Sequence, residues 1–304
     1  MKALIIGTGS IAQRHSNILQ SKGIHCIHLS RTRKHHGTIK NLIFLSYMDF
    51  LPKKYHNYFD LSVIAGSPEN RKVDLEISYI ATRDNSLIAV EKPLLSWNEY
   101  DINILDKFRK RKFYTLFNVR YNPNVQKIKD IIEDSYSEIQ SIKLFFHDNP
   151  FNWYGERSLT NYVIDPDHGG ALNISCHEID LLLYITKTSQ DDWFILNKKE
   201  LLNPKSSKIE DSIEINLIHS KSEIKAFISL SLVSPIRKRF IELIKTNNKI
   251  PYIFNLDNFE DFESWSNTYE SMWDEILKGG KQITARGSDG IVIARFCKRI
   301  KEWL

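Results

Sequence analysis

Cysteine, strong charge of one sign and long hydrophobic runs are all scarce in this chain of 304 residues. Its three cysteines, at positions 26, 176 and 297, are far apart and odd in number, which argues against a disulfide framework and a cysteine-ligated metal. No stretch approaches the roughly 20 consecutive apolar residues of a membrane-spanning helix, and the N-terminus lacks the small-residue cleavage site of a signal peptide. We therefore expect a cytoplasmic protein with no metal and no membrane partner.

The net charge is only +5, and the basic residues form short runs at positions 31–36, 107–112 and 237–239. A nucleic-acid-binding protein usually gathers a larger positive excess on one element, so we expect no nucleic-acid partner. The hydrophobic content of 42% and the charged content of 26% are ordinary for a globular protein. The length suits two domains.

The first 120 residues alternate short apolar runs with amphipathic stretches. The pattern predicts helices at positions 11–21, 47–55, 72–81 and 98–111, and strands at 3–6, 24–29, 42–45, 61–65, 86–90 and 113–118. Such alternation predicts an α/β fold, with a doubly wound parallel sheet of the Rossmann type at residues 1–120. Ligands bind these sheets beyond the carboxyl ends of the strands.

Longer alternating segments replace this pattern after position 120. We predict helices at 123–133, 173–186, 268–277 and 290–303, a polar loop at 203–210, and strands at 139–146, 213–219, 223–233, 239–245 and 252–256. Long strands with few helices predict an α+β domain at residues 121–304, built on a large, mostly antiparallel open sheet.

The most informative motif is the run ALIIGTGSIAQRH at positions 3–15. Gly7 permits a tight turn after the strand, Gly9 lets the backbone approach a pyrophosphate, and the small Ala12 lets the helix pack on the strand. The free N–H groups at the helix N-terminus favour an anion there. The motif therefore predicts a dinucleotide site formed by Gly7, Thr8, Gly9, Ser10 and Ile11.

The end of the second predicted strand bears on which dinucleotide binds. An acidic residue there hydrogen-bonds the ribose 2′-hydroxyl of NAD, whereas a small hydroxyl side chain beside an arginine suits the 2′-phosphate of NADP. Here the strand ends in Ser30 and Arg31, and the next carboxylate is Asp49. A phosphate would accept charge-assisted hydrogen bonds from Arg31. The sequence therefore predicts NADP(H) in preference to NAD(H).

Two further segments carry reactive side chains. Lys92 follows the fifth predicted strand, where nicotinamide and substrate would meet. The segment GGALNISCHEID at positions 169–180, if helical from position 172, places Asn173 and His177 on one face as i,i+4 neighbours. Asp180 is then near enough to orient His177.

Together these segments resemble the Gfo/Idh/MocA family, which includes glucose–fructose oxidoreductase and inositol dehydrogenase. The matching pieces cover essentially the whole chain in the family's order: GTGSIAQRH at 7–15, GSPEN at 66–70, EKP at 91–93, FNVRYNP at 117–123 and GGALNISCHEID at 169–180. The resemblance implies hydride transfer between the nicotinamide and a carbon bearing a hydroxyl or carbonyl, usually on a sugar or polyol, in carbohydrate metabolism. It also implies a homodimer or homotetramer, with strands 213–219 and 223–233 supplying the shared sheet face.

The resemblance implies roles for individual residues as well. Lys92 would contact substrate and cofactor, and His177 would give or take a proton, so these two are the expected catalytic residues. The nicotinamide side of the crevice would be lined by Ser67, Pro68, Glu91 and Lys92. Candidate substrate contacts are Asn173, Tyr121, Tyr154 and Arg157.

Asn173 departs from the family pattern. Many dehydrogenases of the family carry an aspartate four residues before the helix histidine, and the variant with an aspartate three residues before is also absent here. Asparagine hydrogen-bonds a hydroxyl but cannot take a proton. Three alternatives follow: Lys92 and His177 do the acid–base work alone, the substrate is not a simple polyol, or dehydrogenase activity has been lost.

The leading interpretation is an NADP(H)-dependent oxidoreductase of a sugar-like hydroxyl or carbonyl, such as an amino sugar or nucleotide sugar. One alternative is a reductase of a non-sugar carbonyl or conjugated substrate, since this fold hosts both chemistries. The other is a non-catalytic NADP(H)-binding sensor, for which Asn173 is the best argument.

Overall fold

The computed structural model describes residues 1–30, 37–39, 42–46, 53–96, 107–108, 111–154, 163, 165, 167–204, 206–257, 262–280 and 282–303. The chain forms two compact units. The first comprises Met1–Leu95, Asp101–Phe117 and Tyr269–Ile291, and the second comprises Ser96–Tyr100, Asn118–Thr268 and Val292–Leu304.

The first unit therefore contains a late segment that a division at position 120 assigns to the second domain. Two contacts give the physical reason. Trp273 donates a hydrogen bond from Nε1 to the buried imidazole of His15, and the Thr115 N–H donates to the Ala285 carbonyl at 3.0 Å. The late segment thus pairs with the last strand of the first sheet.

The first unit is built on a seven-stranded sheet. Its strands are β1 (Lys2–Ile6), β2 (His25–Ser30), β3 (Gly37–Ile39), β4 (Leu42–Ser46), β5 (Phe59–Ile64), β6 (Thr82–Glu91) and β7 (Lys112–Leu116), in the order β3-β4-β2-β1-β5-β6-β7. Every neighbouring pair is parallel except β3 with β4. Helix α1 (Ser10–Ser21) joins β1 to β2, and α2 (Arg71–Ala81) joins β5 to β6. The predicted doubly wound sheet is confirmed, and β3 is an unpredicted antiparallel edge strand.

The second unit is built on a six-stranded sheet. Its strands are β8 (Ile139–His147), β9 (Trp193–Asn203), β10 (Ser206–His219), β11 (Lys225–Ser231), β12 (Lys238–Lys245) and β13 (Asn248–Asn255), in the order β13-β12-β8-β11-β10-β9. Only the central β8–β11 pair is parallel, which confirms a large, mostly antiparallel sheet. The remaining α-helices in the described part of the chain are α3 (Pro123–Asp134), α4 (Phe151–Tyr154), α5 (Ala171–Ile174), α6 (Cys176–Thr186), α7 (Phe262–Leu277) and α8 (Gly287–Glu302).

Two local predictions for the second unit are wrong. The polar segment 203–210 is not a loop, because β9 runs to Asn203 and β10 begins at Ser206. The expected helix at 173–186 is divided into α5 and α6 at Ser175, where the Glu178 N–H donates to the Ser175 carbonyl three residues back. The predicted helical stretches at 47–55 and 98–111 lie mostly outside the described residues. Among the helices that the structure describes, none is long and apolar enough to cross a bilayer.

Candidate functional site

One row of residues crosses the parallel sheet close to its carboxyl edge. Leu29 pairs with Ile6, Ile6 with Ile64, and Ile64 with Val90. The residues that follow these positions therefore emerge at the same edge, and they are Ser30, Gly7, Ala65 and Glu91. Because neighbouring strands lie about 4.8 Å apart, the glycine turn after β1 and the end of β6 begin roughly 10 Å apart.

The two glycines of the turn are required for different reasons. Gly7 has a φ of +127°, and a Cβ there would lie 2.9 Å from the Ala65 carbonyl oxygen. Only glycine adopts this conformation without strain. Gly9 has an ordinary φ of −71°, and a Cβ there would meet no described atom within 4 Å. The space in front of Gly9 is therefore open as far as the described residues go, and the sequence predicts a pyrophosphate there.

The N-terminus of α1 carries backbone donors toward this open space. Gly9 is the N-cap residue, no side chain in the described part of the chain caps the helix, and its first turn contains no acidic residue. The first N–H bonded within the helix is that of Gln13, which donates to the Gly9 carbonyl at 3.0 Å. The preceding N–H groups and the helix dipole suit an anion.

A buried histidine fixes the glycine turn from the neighbouring strand. The Nδ1 atom of His28 lies 2.9 Å from the Gly7 carbonyl oxygen, and the Gly7 N–H donates to the Leu29 carbonyl at 3.1 Å. Because a carbonyl only accepts, Nδ1 carries the hydrogen. Burial lowers the pKa of His28 below its usual value, with the hydrogen bond to Gly7 opposing that shift. The imidazole therefore holds the turn as a neutral donor.

The lysine segment follows the last strand position of β6. Glu91 is 9% exposed, and Lys92 is half-buried and followed by a cis peptide bond to Pro93. The Lys92 N–H donates to Oε2 of Glu91 at 3.2 Å. The Glu91 carboxylate thus folds back on its own strand end.

The other residues predicted for the cofactor lie at the same edge or outside the described residues. Ser67 and the buried Pro68 follow β5 and open a short 3₁₀ turn, Pro68–Asn70. Ser30, also buried, is the last residue of β2. Arg31 lies outside the described residues.

In the second unit, Asn173 and His177 lie on consecutive helices, one on each side of Ser175. These three side chains are 2%, 7% and 2% exposed, respectively. The amide Nδ2 of Asn173 and the hydroxyl of Ser175 have no hydrogen-bond partner among the residues that the structure describes. A buried polar group without a partner costs about 1–3 kcal/mol, so a bound molecule with an oxygen acceptor would suit Asn173.

A buried carboxylate holds the start of α5. Gly170 has a φ of +88°, and a Cβ there would lie 2.7 Å from Oε1 of Glu210. The same oxygen accepts the Leu172 N–H at 2.9 Å, and Oε2 accepts a hydrogen bond from the Lys301 ammonium. Glu210 therefore caps α5 with a negative charge, which suits a helix N-terminus.

Helix α6 carries two buried carboxylates, and each binds an arginine. Asp180 accepts from Nε and Nη2 of Arg120 at 2.9 and 2.6 Å. Oε1 of Glu178 accepts from Nε of Arg239 at 2.7 Å and also lies 2.7 Å from Nη2 of that arginine as an ion pair. Both oxygens of Asp180 thus accept hydrogen bonds from Arg120, and a role for Asp180 in orienting His177 stays a prediction. The arginines anchor α6 to the 3₁₀ turn Asn118–Tyr121 and to β12.

The remaining predicted substrate contacts are spread along the second unit. Tyr121 ends the 3₁₀ turn that also holds Arg120. Tyr154 ends the short helix α4. Arg157 lies outside the described residues.

No family model matches the sequence, and no curated protein matches it either. Solved structures do match it over nearly its whole length. The WlbA dehydrogenase from Bordetella pertussis, in complex with NADH and UDP-GlcNAcA, is 15% identical, with 98% of this chain and 93% of that chain covered and a TM-score of 0.74. A myo-inositol dehydrogenase from Corynebacterium glutamicum is 14% identical, with 99% and 95% covered and a TM-score of 0.69. The chain has the Gfo/Idh/MocA fold.

A regulator shares this fold as well. The transcriptional regulator Gal80p from Kluyveromyces lactis is 16% identical, with 98% of this chain and 90% of that chain covered and a TM-score of 0.69. The Gfo/Idh/MocA fold therefore occurs both in dehydrogenases and in a protein described as a regulator.

Sequence reasoning missed several polar residues that this Gfo/Idh/MocA fold buries. His28 had a visible signal, a histidine inside the otherwise apolar strand HCIHLS. His15 likewise follows Ala12 at helical spacing on the buried face of α1. Glu210 and Trp273 had no local signal, because their partners are far away in the sequence.

Proposed function

We propose that the protein is an oxidoreductase that transfers a hydride between NADP(H) and a sugar-like hydroxyl or carbonyl, such as that of an amino sugar or nucleotide sugar. The observation that carries the proposal is the shared carboxyl edge, where the glycine turn and the Glu91–Lys92 segment emerge from one row of the sheet. The similarity to a dehydrogenase in complex with NADH and UDP-GlcNAcA supports the same class of reaction.

The residues at this edge fit a dinucleotide. The open space at Gly9 and the uncapped donors of α1 would hold the pyrophosphate. Ser30 and Arg31 would bind the 2′-phosphate that distinguishes NADP from NAD. Bound NADP(H) supplies or accepts the hydride. The nicotinamide side would be lined by Ser67, Pro68, Glu91 and Lys92.

Acid–base work falls to two side chains. The ammonium of Lys92 donates a hydrogen bond to the reacting oxygen, and His177 gives or takes its proton. Asn173 donates from Nδ2 to a substrate oxygen and cannot take a proton itself. Tyr121, Tyr154 and Arg157 remain proposed substrate contacts.

Coenzyme binding and turnover test the proposal in two steps. Dissociation constants for NADPH and NADH are measured by coenzyme fluorescence, and the NADPH complex is expected to be about 10-fold tighter or more, as one charge-assisted contact would give. Hydride transfer is then followed with sugars, amino sugars and sugar nucleotides. Equal or tighter NADH binding contradicts the NADP(H) preference, and absence of any nicotinamide binding contradicts the oxidoreductase.

Asn173 favours a second candidate, a non-catalytic NADP(H)-binding sensor. An asparagine that cannot take a proton stands where many dehydrogenases of the family carry an aspartate, and Gal80p shows that a regulator has this fold. Coenzyme binding without turnover across the panel would favour the sensor. Turnover confined to non-sugar or conjugated carbonyls would instead identify a reductase of those substrates.

We further propose a homodimer or homotetramer formed through the outer face of the second sheet. Phe145 stacks on Phe240 with ring centroids 4.4 Å apart and meets Phe227 edge-on at 5.7 Å. Strand pairing places Phe194, which is 59% exposed, on the same face. Exposed and half-buried aromatic side chains on one sheet face suit a self-complementary contact.

A cytoplasmic location is part of the same proposal. Its support is the state of the cysteines, since Cys26, Cys176 and Cys297 are all free and buried. Burial raises the pKa of Cys26 to about 11 and that of Cys297 well above its usual value. These two thiols therefore stay protonated and take no part in the proposed chemistry.

A further inference from the structure

Three elements of the first unit meet at one buried imidazole. His15 lies on α1, five residues after the start of the helix, and is fully buried. Its Nε2 atom lies 2.8 Å from Oε1 of Glu91, at the end of β6. Its Nδ1 atom accepts a hydrogen bond from Nε1 of Trp273, on α7, at 2.9 Å. The ring of Tyr269 packs against the imidazole at a centroid distance of 5.4 Å.

The partners of His15 determine where its hydrogen lies. An indole N–H only donates, so Nδ1 of His15 accepts from Trp273 and carries no hydrogen. Nε2 then carries the hydrogen and donates it to the Glu91 carboxylate. Donation therefore runs from Trp273 through His15 to Glu91.

The second oxygen of Glu91 extends this chain to the lysine segment. Oε2 accepts the Lys92 backbone N–H at 3.2 Å, so both carboxylate oxygens have a defined donor. A glutamate in water samples several rotamers, whereas this one is held by donors at both oxygens. Its orientation fixes the strand end from which Lys92 projects.

We propose that Trp273 and His15 are positioning residues that hold Lys92 in place through Glu91, and that they tie it to α1, the helix that follows the glycine turn. This inference rests on the proposed role of Lys92 in contacting substrate and coenzyme. Misplacing a reacting group by about 1 Å can reduce a rate by about 100-fold. Breaking this hydrogen-bonded chain is therefore expected to lower kcat. Coenzyme binding depends on the backbone donors of the glycine turn, which are not part of the chain.

Magnetic resonance tests the arrangement without any substrate or coenzyme. In the full-length protein with ¹⁵N-labelled histidine, we expect His15 as the Nε2–H tautomer. The Lys92 amide resonance is expected to shift in Trp273→Phe, which keeps the aromatic ring and removes the donor. A His15 with its hydrogen on Nδ1, or a Lys92 amide that does not respond to Trp273→Phe, overturns the proposal.

Kinetic variants test the consequence for Lys92. Trp273→Phe and His15→Leu are expected to lower kcat about 10-fold or more, with the NADPH dissociation constant changed less than about threefold. His15→Gln retains an acceptor and a donor and is expected to recover most of kcat. A loss confined to coenzyme affinity, or no recovery with glutamine, contradicts a positioning role.

Trp193→Phe is the matched control. Trp193 is fully buried in the second unit and donates from Nε1 to the Thr188 hydroxyl at 2.8 Å, so the same substitution removes the same kind of bond. It is expected to lower stability while keeping kcat and the Lys92 amide resonance. Equal kinetic losses in both phenylalanine variants would mean that the Trp273 bond is merely stabilising. If no substrate is turned over, the proposed function fails, and the resonance measurements still decide the positioning role.

Discussion

A buried amide with an unused donor, that of Asn173, makes a testable contrast with a second buried asparagine. Asn118 donates from Nδ2 to the Thr268 hydroxyl at 2.9 Å, whereas Nδ2 of Asn173 has no partner among the described residues. Asn118→Ala should lower the free energy of unfolding by about 1 kcal/mol more than Asn173→Ala, because only it removes a hydrogen bond. Thermal unfolding of the two variants provides the measurement.

For substrate KM, the larger effect is expected from Asn173→Ala and not from Asn118→Ala. Asn173→Ala is expected to raise the substrate KM by about 10-fold through the loss of one hydrogen bond to the ligand, while Asn118→Ala leaves KM unchanged. An unchanged KM in Asn173→Ala would remove this residue from the substrate site.

His28 should make stability depend on pH. Burial holds the pKa of the His28 imidazole below its ordinary value in the unfolded chain. As pH falls below about 6.5, the imidazole is therefore protonated more readily in the unfolded state than in the folded state. The free energy of unfolding is therefore expected to decrease between pH 7 and pH 5, and less steeply in His28→Gln. Denaturant titrations at several pH values measure the slope. His25→Gln, at an exposed position of the same strand, should match the wild type.

Part of the candidate site was predictable because its signals are local. Gly7, Gly9 and Lys92 each follow an apolar strand in the sequence, and parallel strands end at a common edge, so their meeting needed no distant information. The chain of hydrogen bonds from Trp273 through His15 to Glu91 was not predictable, because Trp273 is 258 positions away from His15 in the sequence. The arginine that binds Asp180 is likewise 60 positions away, so the local sequence around Asp180 does not indicate this partner.

At the scale of an element, the two glycines of the turn contribute to different properties: Gly7 to stability and Gly9 to coenzyme binding. A side chain at Gly7 is strained by its positive φ and meets the Ala65 carbonyl oxygen, whereas a Cβ at Gly9 meets no described atom within 4 Å. Gly7→Ala is expected to lower stability by about 1–3 kcal/mol. Gly9→Ala should leave stability within about 1 kcal/mol of the wild type and weaken NADPH binding about 10-fold or more. Thermal unfolding and coenzyme titration of both variants test this, and a strongly destabilised Gly9→Ala would contradict the open space in front of Gly9.

Elements with a simple hydrophobic period were predicted well, and those shaped by distant partners were not. The parallel strands of the first unit are near-continuous apolar runs, which is the pattern of strands covered on both faces. Strand β9 was missed because half of it faces outward with Phe194, Leu196 and Leu201 exposed among charged residues. The polar start of β10 is typical of a loop in sequence, yet Glu210 is buried there against Leu172 and Lys301.

At the scale of the whole molecule, the outer sheet face predicts self-association. We expect sedimentation equilibrium to give a dimer or tetramer, and Phe194→Glu to shift the protein toward the monomer, because it places a charge on an apolar contact. Val73→Glu, at an exposed apolar position of α2 in the first unit, is the control and should leave the mass unchanged. A monomeric wild-type protein would refute the assembly while leaving the coenzyme site untouched.

The contact between His15 and Trp273 also bears on when the protein folds during synthesis. The two residues are 258 positions apart. At a translation rate of about 5–20 residues per second, Trp273 is therefore synthesised on the order of 10–50 s after His15. The first unit, whose strands are synthesised first, is therefore completed only after every strand of the second unit has been made. A nascent chain halted at position 268 should remain open to proteases within its first hundred residues, and release of the remainder should close it.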